Sequence, residues 1–457
     1  MWKKSNQMNI ENNKQKMVLV TGATGFVGKP LVEKLFSMNY RVRTISRNKK
    51  QLEGVFNEGV EIMQCDISNN EELERALTGV DIAYYLVHSM EGKSSQWEDF
   101  AEKDRQIAKN FANVSKKCKV KRIIYLGGLA HGTDSEMSEH MRSRKDVGKI
   151  LSKSGIPVTI FRASVILGKG GGGFEMMHYL VERLPLMICP KWVLTKLQPI
   201  SLHDTLEYLV KSIDVSETEN KILDIGGPDV LTYVEMMKVY GDSIGKKVRV
   251  IIIPFLSLRL TSVWVDLVTP VKSSLARPLV EGLKNESTVT DNEIKKIIPL
   301  KLKGVEESIE LSKDDSRETK IHRNDKLLIG LLLSLAIIGY TQFVLDVRIG
   351  VFNFMWLVVM IAWSLLLAVS IYFTVKDARI GPLIGAVGSW ITVSFWLIDN
   401  AYLISNLQQI GGYKIGQAFE LLGSYPSTTI TMLNLMGIVV CASLAVVTHF
   451  SFYRERS

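Results

Sequence analysis

Residues 18–28 read Val-Leu-Val-Thr-Gly-Ala-Thr-Gly-Phe-Val-Gly and decide the fold of this chain. An apolar run ends in three glycines spaced Gly-x-x-Gly-x-x-Gly, and a helical pattern follows over 29–36. A buried strand that turns on glycine into a helix presents backbone N–H groups and the positive helix end to a pyrophosphate. We expect Gly22 to allow the tight turn, Gly25 to admit the phosphates and Gly28 to let the helix pack against the strand.

The first 320 residues alternate between short apolar runs and helical patterns. Strands are predicted at 18–21, 41–46, 61–64, 82–86, 122–126, 158–162 and 222–225. Helices are predicted between them, for example at 29–36, 71–78, 97–117 and 144–154. Repeated strand–helix units predict an α/β fold with a doubly wound, parallel, Rossmann-like sheet. Because such sheets bind ligands at the carboxyl ends of their strands, the functional residues should follow the strands.

The loops after the second and third predicted strands indicate which dinucleotide binds. A carboxylate after the second strand would bind the ribose 2′-hydroxyl of NAD and repel the 2′-phosphate of NADP, but residues 46–50 read Ser-Arg-Asn-Lys-Lys. Arg47 can pair with the 2′-phosphate through two N–H groups, which predicts NADP rather than NAD. A solvated basic loop is the alternative. Asp66 and Ile67 follow the third strand and are predicted to hold the adenine, unless Asp66 caps the next helix.

The predicted cofactor-binding residues occupy the glycine turn and the ends of later strands. A tight turn without a ligand is the alternative for the glycines. The complete predicted set is Thr21, Gly22, Thr24, Gly25, Phe26, Val27, Gly28, Arg47, Asp66, Ile67, Leu86, Val87 and Gly127.

Several short motifs carry a resemblance to a known superfamily. The glycine motif, Cys65-Asp66-Ile67, and the runs at 84–90, 125–129 and 161–163 resemble the atypical short-chain dehydrogenase/reductase superfamily. The sequence Tyr-Leu-Val-His-Ser-Met at 85–90 and the segments at 138–144 and 226–228 resemble the bacterial YbjT-type branch of this superfamily, a group of NAD(P)H-binding proteins. The resemblance covers about residues 17–310. It implies a Rossmann-like NAD(P)-binding domain followed by a smaller C-terminal substrate lobe, which residues 168–195 and about 254–313 would largely form. We place a polar tail at 1–16, the NAD(P)-binding domain at 17–253 and the C-terminal lobe with a basic linker at 254–320.

The chain departs from that superfamily at the active site. The resemblance implies a Ser-Tyr-Lys set, yet Gly127-Gly128 stands where the serine is expected, His140 where the tyrosine is expected and Arg144 where the lysine is expected. Arginine stays protonated, so Arg144 can stabilise developing charge but cannot act as a general base. His140 is the candidate proton donor, since imidazole titrates near neutral pH.

Each of the other side chains with polar groups near the strand ends has a functional and a structural interpretation. His88, after the fourth predicted strand, is a second candidate catalyst, and His131 follows the fifth. A lone histidine is more often a hydrogen-bonded structural side chain. Tyr84 and Tyr85 are expected in the core or the cofactor wall. Arg162 either binds an anionic substrate or forms an ion pair that fixes the C-terminal lobe.

The last third of the chain is mostly apolar. Its four blocks span 327–345, 350–375, 381–398 (with or without an extension to 404) and 428–449. About 20 apolar residues cross a bilayer core as a helix, so residues 321–457 are predicted to form a transmembrane domain with four spans. Buried helices of a soluble domain are the alternative, but the blocks show almost no polar stripe.

Charge predicts the orientation of those spans. Nine Lys and Arg residues flank the spans on one side, against two in the loops on the other side. The basic side faces the cytoplasm, which predicts a multi-pass protein of the cell (inner or plasma) membrane with both termini inside. The first sixteen residues have no apolar core, so no signal peptide is expected to direct the N-terminal region outward.

The charge and the cysteine content of the chain limit the binding partners that we expect for it. The net charge of +9 arises partly from the basic segment before the first span, where anionic membrane lipid is the expected partner. Nucleic acid is not expected, because Lys and Arg are not interleaved with aromatic residues in one segment. Four widely spaced cysteines form no metal pattern and agree with a reducing compartment. The expected small-molecule partner is a hydrophobic substrate or a lipid.

Two functions from different classes follow from these observations. The first is a membrane-anchored NADP-dependent oxidoreductase acting on a hydrophobic or membrane-associated substrate. The second is a non-catalytic NADP-binding sensor, regulatory or assembly protein, which the missing Ser-Tyr-Lys set favours. The sequence assigns neither the substrate nor the oligomeric state.

Overall fold

A computed structural model describes most of the chain before residue 313 and short parts of the remainder. The described residues are 16–87, 97–129, 131, 133, 137–253, 261, 265–266, 268–271, 273–313, 329–334, 336–337, 354–375, 380–381, 383–385 and 387–388. The chain divides into two units: Met1–Asp266 with Val271–Asp314, and Leu267–Pro270 with Asp315–Ser457.

Seven strands of the first unit form one parallel sheet in the order β11-β6-β5-β4-β1-β2-β3. The strand order reverses between β1 and β4, and this switch point is where doubly wound sheets bind ligands. The predicted Rossmann-like α/β fold is therefore confirmed. Its strands are β1 Met17–Val20, β2 Arg41–Ser46, β3 Glu61–Gln64, β4 Ile82–Tyr85, β5 Arg122–Gly128, β6 Val158–Ala163 and β11 Lys221–Ile225.

Helices cover both faces of this sheet. Alternate side chains of β1 enter two separate clusters, Val18 and Val20 on one face and Leu19 on the other, because successive strand residues point to opposite faces. The described helices are α1 Gly28–Ser37, α2 Asn70–Leu77, α3 Trp97–Lys117, α4 Glu139–Ser152, α5 Gly172–Arg183, α6 Leu202–Lys211, α7 Tyr233–Ser243, α8 Ser273–Gly282, α9 Glu293–Ile297, α10 Val305–Ser312 and α11 Phe354–Val375.

One helix begins earlier than predicted. The helix predicted at 144–154 is α4, which starts at Glu139 because the Ser138 side chain accepts a hydrogen bond from the Met141 N–H and caps it. His140 therefore lies in the first turn of this helix.

Three short strand pairs belong to the C-terminal lobe of the first unit. β7 Ile166–Leu167 pairs with β10 Ile200–Ser201, β9 Lys196–Leu197 pairs with β12 Leu231–Thr232, and β8 Met187–Pro190 pairs with β13 Val250–Ile253. These pairs lie outside the seven-stranded sheet, and the predicted boundary of the lobe at 253 stays a prediction.

The predicted membrane spans fall mostly outside the described residues. The second span contains α11, whose side chains are described only from Ile361, and the fourth span at 428–449 lies wholly outside. Among the residues that the structure describes, no helix combines the length and the apolar character needed to cross a bilayer. The four spans remain a prediction.

Candidate functional site

The glycine turn joins β1 to α1 at the switch point. Gly22 has a φ of 67°, and a Cβ there would lie 2.8 Å from the Leu86 carbonyl oxygen. A Cβ on Gly28 would lie 2.1 Å from the Gly22 carbonyl oxygen, closer than any side chain allows. The geometry of these two glycines agrees with the predicted tight turn and close helix packing. Gly25 is exposed, and the nearest atom to its Cβ position is the Gly22 carbonyl oxygen at 3.1 Å.

The N terminus of α1 is open to a ligand. Val27 occupies the N-cap position, and no side chain caps the ten-residue helix. The first N–H groups of a helix have no partner within the helix, and the helix dipole adds positive potential there. The turn therefore has the features of an anion site, with exposed Thr24 and Gly25 at its mouth.

Thr21 positions the neighbouring strand. It is fully buried, its hydroxyl donates to the Tyr84 carbonyl oxygen at 2.9 Å, and the Leu86 N–H donates to that hydroxyl at 2.9 Å. Both bonds tie the end of β1 to the end of β4. Leu86 and Val87 follow β4 as half-buried residues beside this turn. Thr21 thus holds the end of β4 next to the turn, where the cofactor is predicted to bind. Its hydroxyl already has two hydrogen-bond partners in the protein.

Arg47 and Asp66 lie near each other after β2 and β3. The Asp66 carboxylate accepts hydrogen bonds from the Ser68 hydroxyl at 2.6 Å and the Ser68 N–H at 2.9 Å. These bonds, and more weakly the charges of Arg47 and Lys103, hold the pKa of Asp66 below its usual value. Exposed Arg47 is therefore within electrostatic range of the predicted adenine end of the site, as a 2′-phosphate contact requires.

Asp66 does not cap the next helix, so that alternative is wrong. The cap of α2 is Asn69, whose side-chain oxygen accepts from the N–H groups of Glu71 and Glu72. Ile67 is half-buried and packs against one of the two sheet-face clusters. The cap was misplaced by three residues because Asp and Asn are equally good caps and both precede the helical pattern.

Arg144 reaches the carboxyl end of β5. The position of a Cβ on Gly128 lies 2.6 Å from Met141 Cε and 3.5 Å from Arg144 Cδ, so side chains of α4 lie directly against this strand end. The Arg144 Nε atom is buried and has no hydrogen-bond partner among the residues that the structure describes. The Tyr125 hydroxyl donates to the Arg144 carbonyl oxygen at 3.0 Å and fixes this turn of the helix. The guanidinium is thus held at the strand end with an unused donor.

The histidines differ in their surroundings. His140 is half-buried and lies one helical turn before Arg144, a spacing that places both on one side of α4. His131 is held in place, since its Nε2 bonds the Thr288 carbonyl oxygen and its N–H donates to the Glu286 carbonyl oxygen at 3.1 Å. This favours the structural reading for His131. His88 lies outside the described residues.

Tyr84 and Tyr85 are core residues. The Tyr84 hydroxyl donates to the Leu209 carbonyl oxygen at 2.7 Å, and its burial raises the pKa of Tyr84 well above the usual value. Tyr85 is buried and makes edge contacts with the rings of Phe111 and Tyr125. Neither hydroxyl is placed to donate a proton to a ligand.

Arg162 forms an ion pair rather than an open anion site. Its Nε and Nη2 atoms donate to the two carboxylate oxygens of Asp224 at 2.5 and 2.9 Å, linking β6 to β11. The Asp224 side chain is fully buried, whereas that of Arg162 is 38% exposed. Asp224 was not among the predicted site residues, although an acidic residue inside the apolar strand at 221–225 indicates a buried ion pair.

Asp224→Ala is expected to destabilise the first unit by about 2–3 kcal/mol, because it leaves the Arg162 charge without its buried partner. The partial exposure of Arg162 keeps the loss at the low end of the range for buried pairs. Glu307→Ala removes an exposed partner of Lys303 and should cost less than about 1 kcal/mol. Denaturant unfolding of both variants measures the difference, and equal losses would contradict a special role for the Arg162–Asp224 pair.

Phe26 is covered by a glycine-rich loop. Cβ positions on Gly168 and Gly171 lie 2.9 and 2.8 Å from atoms of the Phe26 ring, so only glycine allows this contact. Gly172 and Gly173 belong to α5, whose N-cap residue is Gly171. Phe26, a predicted cofactor residue, therefore packs its ring against the lobe and leaves the backbone of the turn to face a ligand.

Residues 286–290 lie at the carboxyl ends of the strands, although none of them was among the predicted site residues. The Ser287 hydroxyl bonds that of Ser164, after β6, at 2.7 Å, and the Thr290 hydroxyl donates to Asp224 at 3.5 Å. Glu286 and Thr288 also accept the two hydrogen bonds from His131 that are described above. Residues 286–290 therefore border the carboxyl ends of β5, β6 and β11. No local motif marks them, because their role depends on long-range contacts.

Comparison with known proteins agrees with this fold. The model of the NmrA-like family matches residues 14–312. The photosystem II assembly factor Ycf39 of Cyanophora paradoxa is 23% identical over 248 residues, which cover 53% of this chain and 73% of that protein. Sanguinarine reductase of Eschscholzia californica is 26% identical, covering 47% of this chain and 90% of that protein.

One solved structure illustrates the shared architecture. The NADPH-dependent quinone oxidoreductase of Escherichia coli, solved in complex with NADPH, superposes with a TM-score of 0.52 and 21% identity. The match covers 64% of this chain and 99% of that one. It supports the Rossmann-like fold, and the nucleotide named for that enzyme is the reduced form of the one predicted from Arg47.

Proposed function

The chain belongs to the NmrA-like family, and from this premise we propose that it is an NADP(H)-dependent reductase acting on a hydrophobic or membrane-associated substrate. The observation that carries the proposal is the uncapped N terminus of α1 behind a turn in which Gly22 and Gly28 admit no side chain. The NADPH complex of the quinone oxidoreductase and the reductase among the curated relatives support it.

The residues present fit NADP(H), and each has a role in the proposal. The glycine turn and α1 bind the pyrophosphate, Arg47 pairs with the 2′-phosphate, and Asp66 with Ile67 borders the adenine. Leu86, Val87 and Gly127 border the nicotinamide end. The bound cofactor supplies a hydride. Arg144 stabilises negative charge on a substrate oxygen through its guanidinium charge, and His140 donates the proton.

Arg47→Asp tests the choice of nucleotide. We expect the Kd for NADP(H) to rise roughly 10- to 100-fold while that for NAD(H) changes little, because a charge-assisted pair is replaced by repulsion. Arg41→Asp is the control, since it makes the same charge change at an exposed position at the opposite end of β2. Isothermal titration calorimetry with both nucleotides measures the two Kd values. Equal losses of affinity for NADP(H) and NAD(H) would exclude a contact between Arg47 and the 2′-phosphate.

We also propose that the chain is a YbjT-type member whose four apolar blocks anchor it in the cell membrane, with the N-terminal region in the cytoplasm. The proposal rests on the length of the blocks and the nine-to-two distribution of basic residues in the sequence. The same anchor would keep the N-terminal region close to a substrate that partitions into the bilayer.

A chain ending at Lys313 is expected to stay in solution without detergent and to bind NADP(H) as the full chain does. All strands of the sheet precede this point, and the Lys313 Nζ donates to the Ser243 carbonyl oxygen at 2.7 Å, which closes α10 onto α7. Gel filtration and nucleotide titration check this. Aggregation, or loss of binding that the full chain retains, would mean that the two parts share a core.

A second function is an NADP(H)-binding assembly or regulatory protein. It is favoured by the assembly factor among the relatives and by the absence of the Ser-Tyr-Lys set, with Gly127-Gly128, His140 and Arg144 in those places. This function predicts cofactor-dependent association with a protein partner and no hydride transfer. Pull-down from membranes with and without NADPH, run beside an NADPH oxidation assay, separates the two functions.

A further inference from the structure

The β8–β13 pair presents an apolar face to solvent. Ile188 and Ile251 are partners in the parallel register, and they are 51% and 49% exposed. Alternate residues of a strand share a face, so Leu186 and Arg249, both exposed, extend this face toward the strand starts. Met187, between Leu186 and Ile188, is buried on the other face. We call the exposed side, formed by Leu186, Ile188, Arg249 and Ile251, the ribbon face.

The surroundings of the ribbon face are basic. Segments 184–196 and 246–253 contain five Lys and Arg residues and no Asp or Glu. Lys191, Lys196, Lys247 and Arg249 are exposed, whereas Lys246 donates to the carbonyl oxygens of Val181 and Glu182. Exposed apolar side chains with exposed cations in the same segments are the combination that binds the interface of an anionic bilayer.

We propose that the ribbon face docks on an anionic lipid bilayer, with Ile188 and Ile251 entering the acyl region and exposed cations of the two segments contacting lipid phosphates. A second copy of the chain is disfavoured as the occupant, because a symmetric contact would place these cations against one another. This proposal does not depend on hydride transfer, so it stands or falls separately from the proposed function.

The test is photolabelling of the full chain in vesicles that contain phosphatidylglycerol with a diazirine in its acyl chain. After irradiation, mass spectrometry should find lipid adducts on peptides 184–191 and 247–253. The double variant Ile188→Glu/Ile251→Glu should lower that yield about tenfold, because two apolar anchors become charged. Ile222→Glu, at a 55% exposed isoleucine on β11, is the matched control and should leave the yield unchanged.

Two outcomes overturn the proposal. The first is an absence of lipid adducts on both ribbon peptides, as expected if a second copy covers the face. The second is an equal adduct yield when tracer amounts of the same probe are used in pure phosphatidylcholine vesicles, which would exclude a role for the cations. Thermal unfolding of the double variant confirms that a lost adduct does not reflect a lost fold.

Discussion

Gly25→Asp is expected to abolish NADP(H) binding. A side chain and a negative charge would occupy the mouth of the turn where the pyrophosphate approaches. Among the described residues beyond its chain neighbours, the nearest atom to that Cβ position is the Gly22 carbonyl oxygen at 3.1 Å. A loss of at least about 100-fold in affinity, or roughly 2.7 kcal/mol, is expected from the repulsion and the lost N–H contacts. Isothermal titration with NADPH measures it.

The control for this variant is Ser216→Asp, which adds the same charge at an exposed position outside the sheet. Its affinity for NADPH should match that of the unaltered chain. Circular dichroism must show that Gly25→Asp keeps its secondary structure. A folded Gly25→Asp variant that binds NADPH normally would remove the glycine turn from the site.

His140→Ala is expected to lower the turnover of NADPH about 100-fold, the usual effect of removing a positioned acid, and to leave the Kd for NADPH nearly unchanged. Arg144→Ala should also lower kcat more than it changes KM for NADPH, because the lost guanidinium stabilises charge that develops during the reaction. NADPH oxidation by the full chain, with membrane lipid extract and a panel of quinones as acceptors, measures both.

Arg142→Ala is the matched control on the same helix. Its side chain is 43% exposed and its Nη2 atom lies 3.9 Å from Glu139 Oε1, so its removal should leave kcat within about twofold, as expected for a weak surface pair. His88→Ala tests the competing proton donor. A large loss in the His88 variant and none in the His140 variant would transfer the catalytic role to His88.

The sheet was predictable because each strand carries its own local signal. For the seven strands of the sheet, the ends predicted from apolar runs differ from the observed ends by at most two residues. The spacing of Gly22 and Gly28 likewise agrees with the structure, in which Gly22 has a positive φ and Gly28 lies against the Gly22 carbonyl group. Local patterns were sufficient wherever neighbouring residues determine the conformation.

The predictions were weaker where the contacts are long-range. Asp224 pairs with Arg162 on the neighbouring strand, and residues 286–290 contact strand ends that lie 66 or more positions earlier in the chain, so no local spacing marked either contact. Thr21 shows a different limit. Its position in the motif indicated a ligand contact, but the hydroxyl is engaged by Tyr84 and Leu86 because β1 and β4 are adjacent in the sheet.

The most direct test of the proposed reductase activity is the transfer of deuterium from NADPH labelled at C4 of the nicotinamide. The full chain is incubated with each C4-deuterated epimer and membrane lipid extract, and the products are analysed by mass spectrometry. The account predicts that one epimer yields a reduced product carrying one deuterium while NADP⁺ accumulates in equal amount. Bound NADPH that remains unconsumed, with no deuterium in any lipid, quinone or other extracted compound, would contradict the reductase and leave the NADP(H)-binding assembly function.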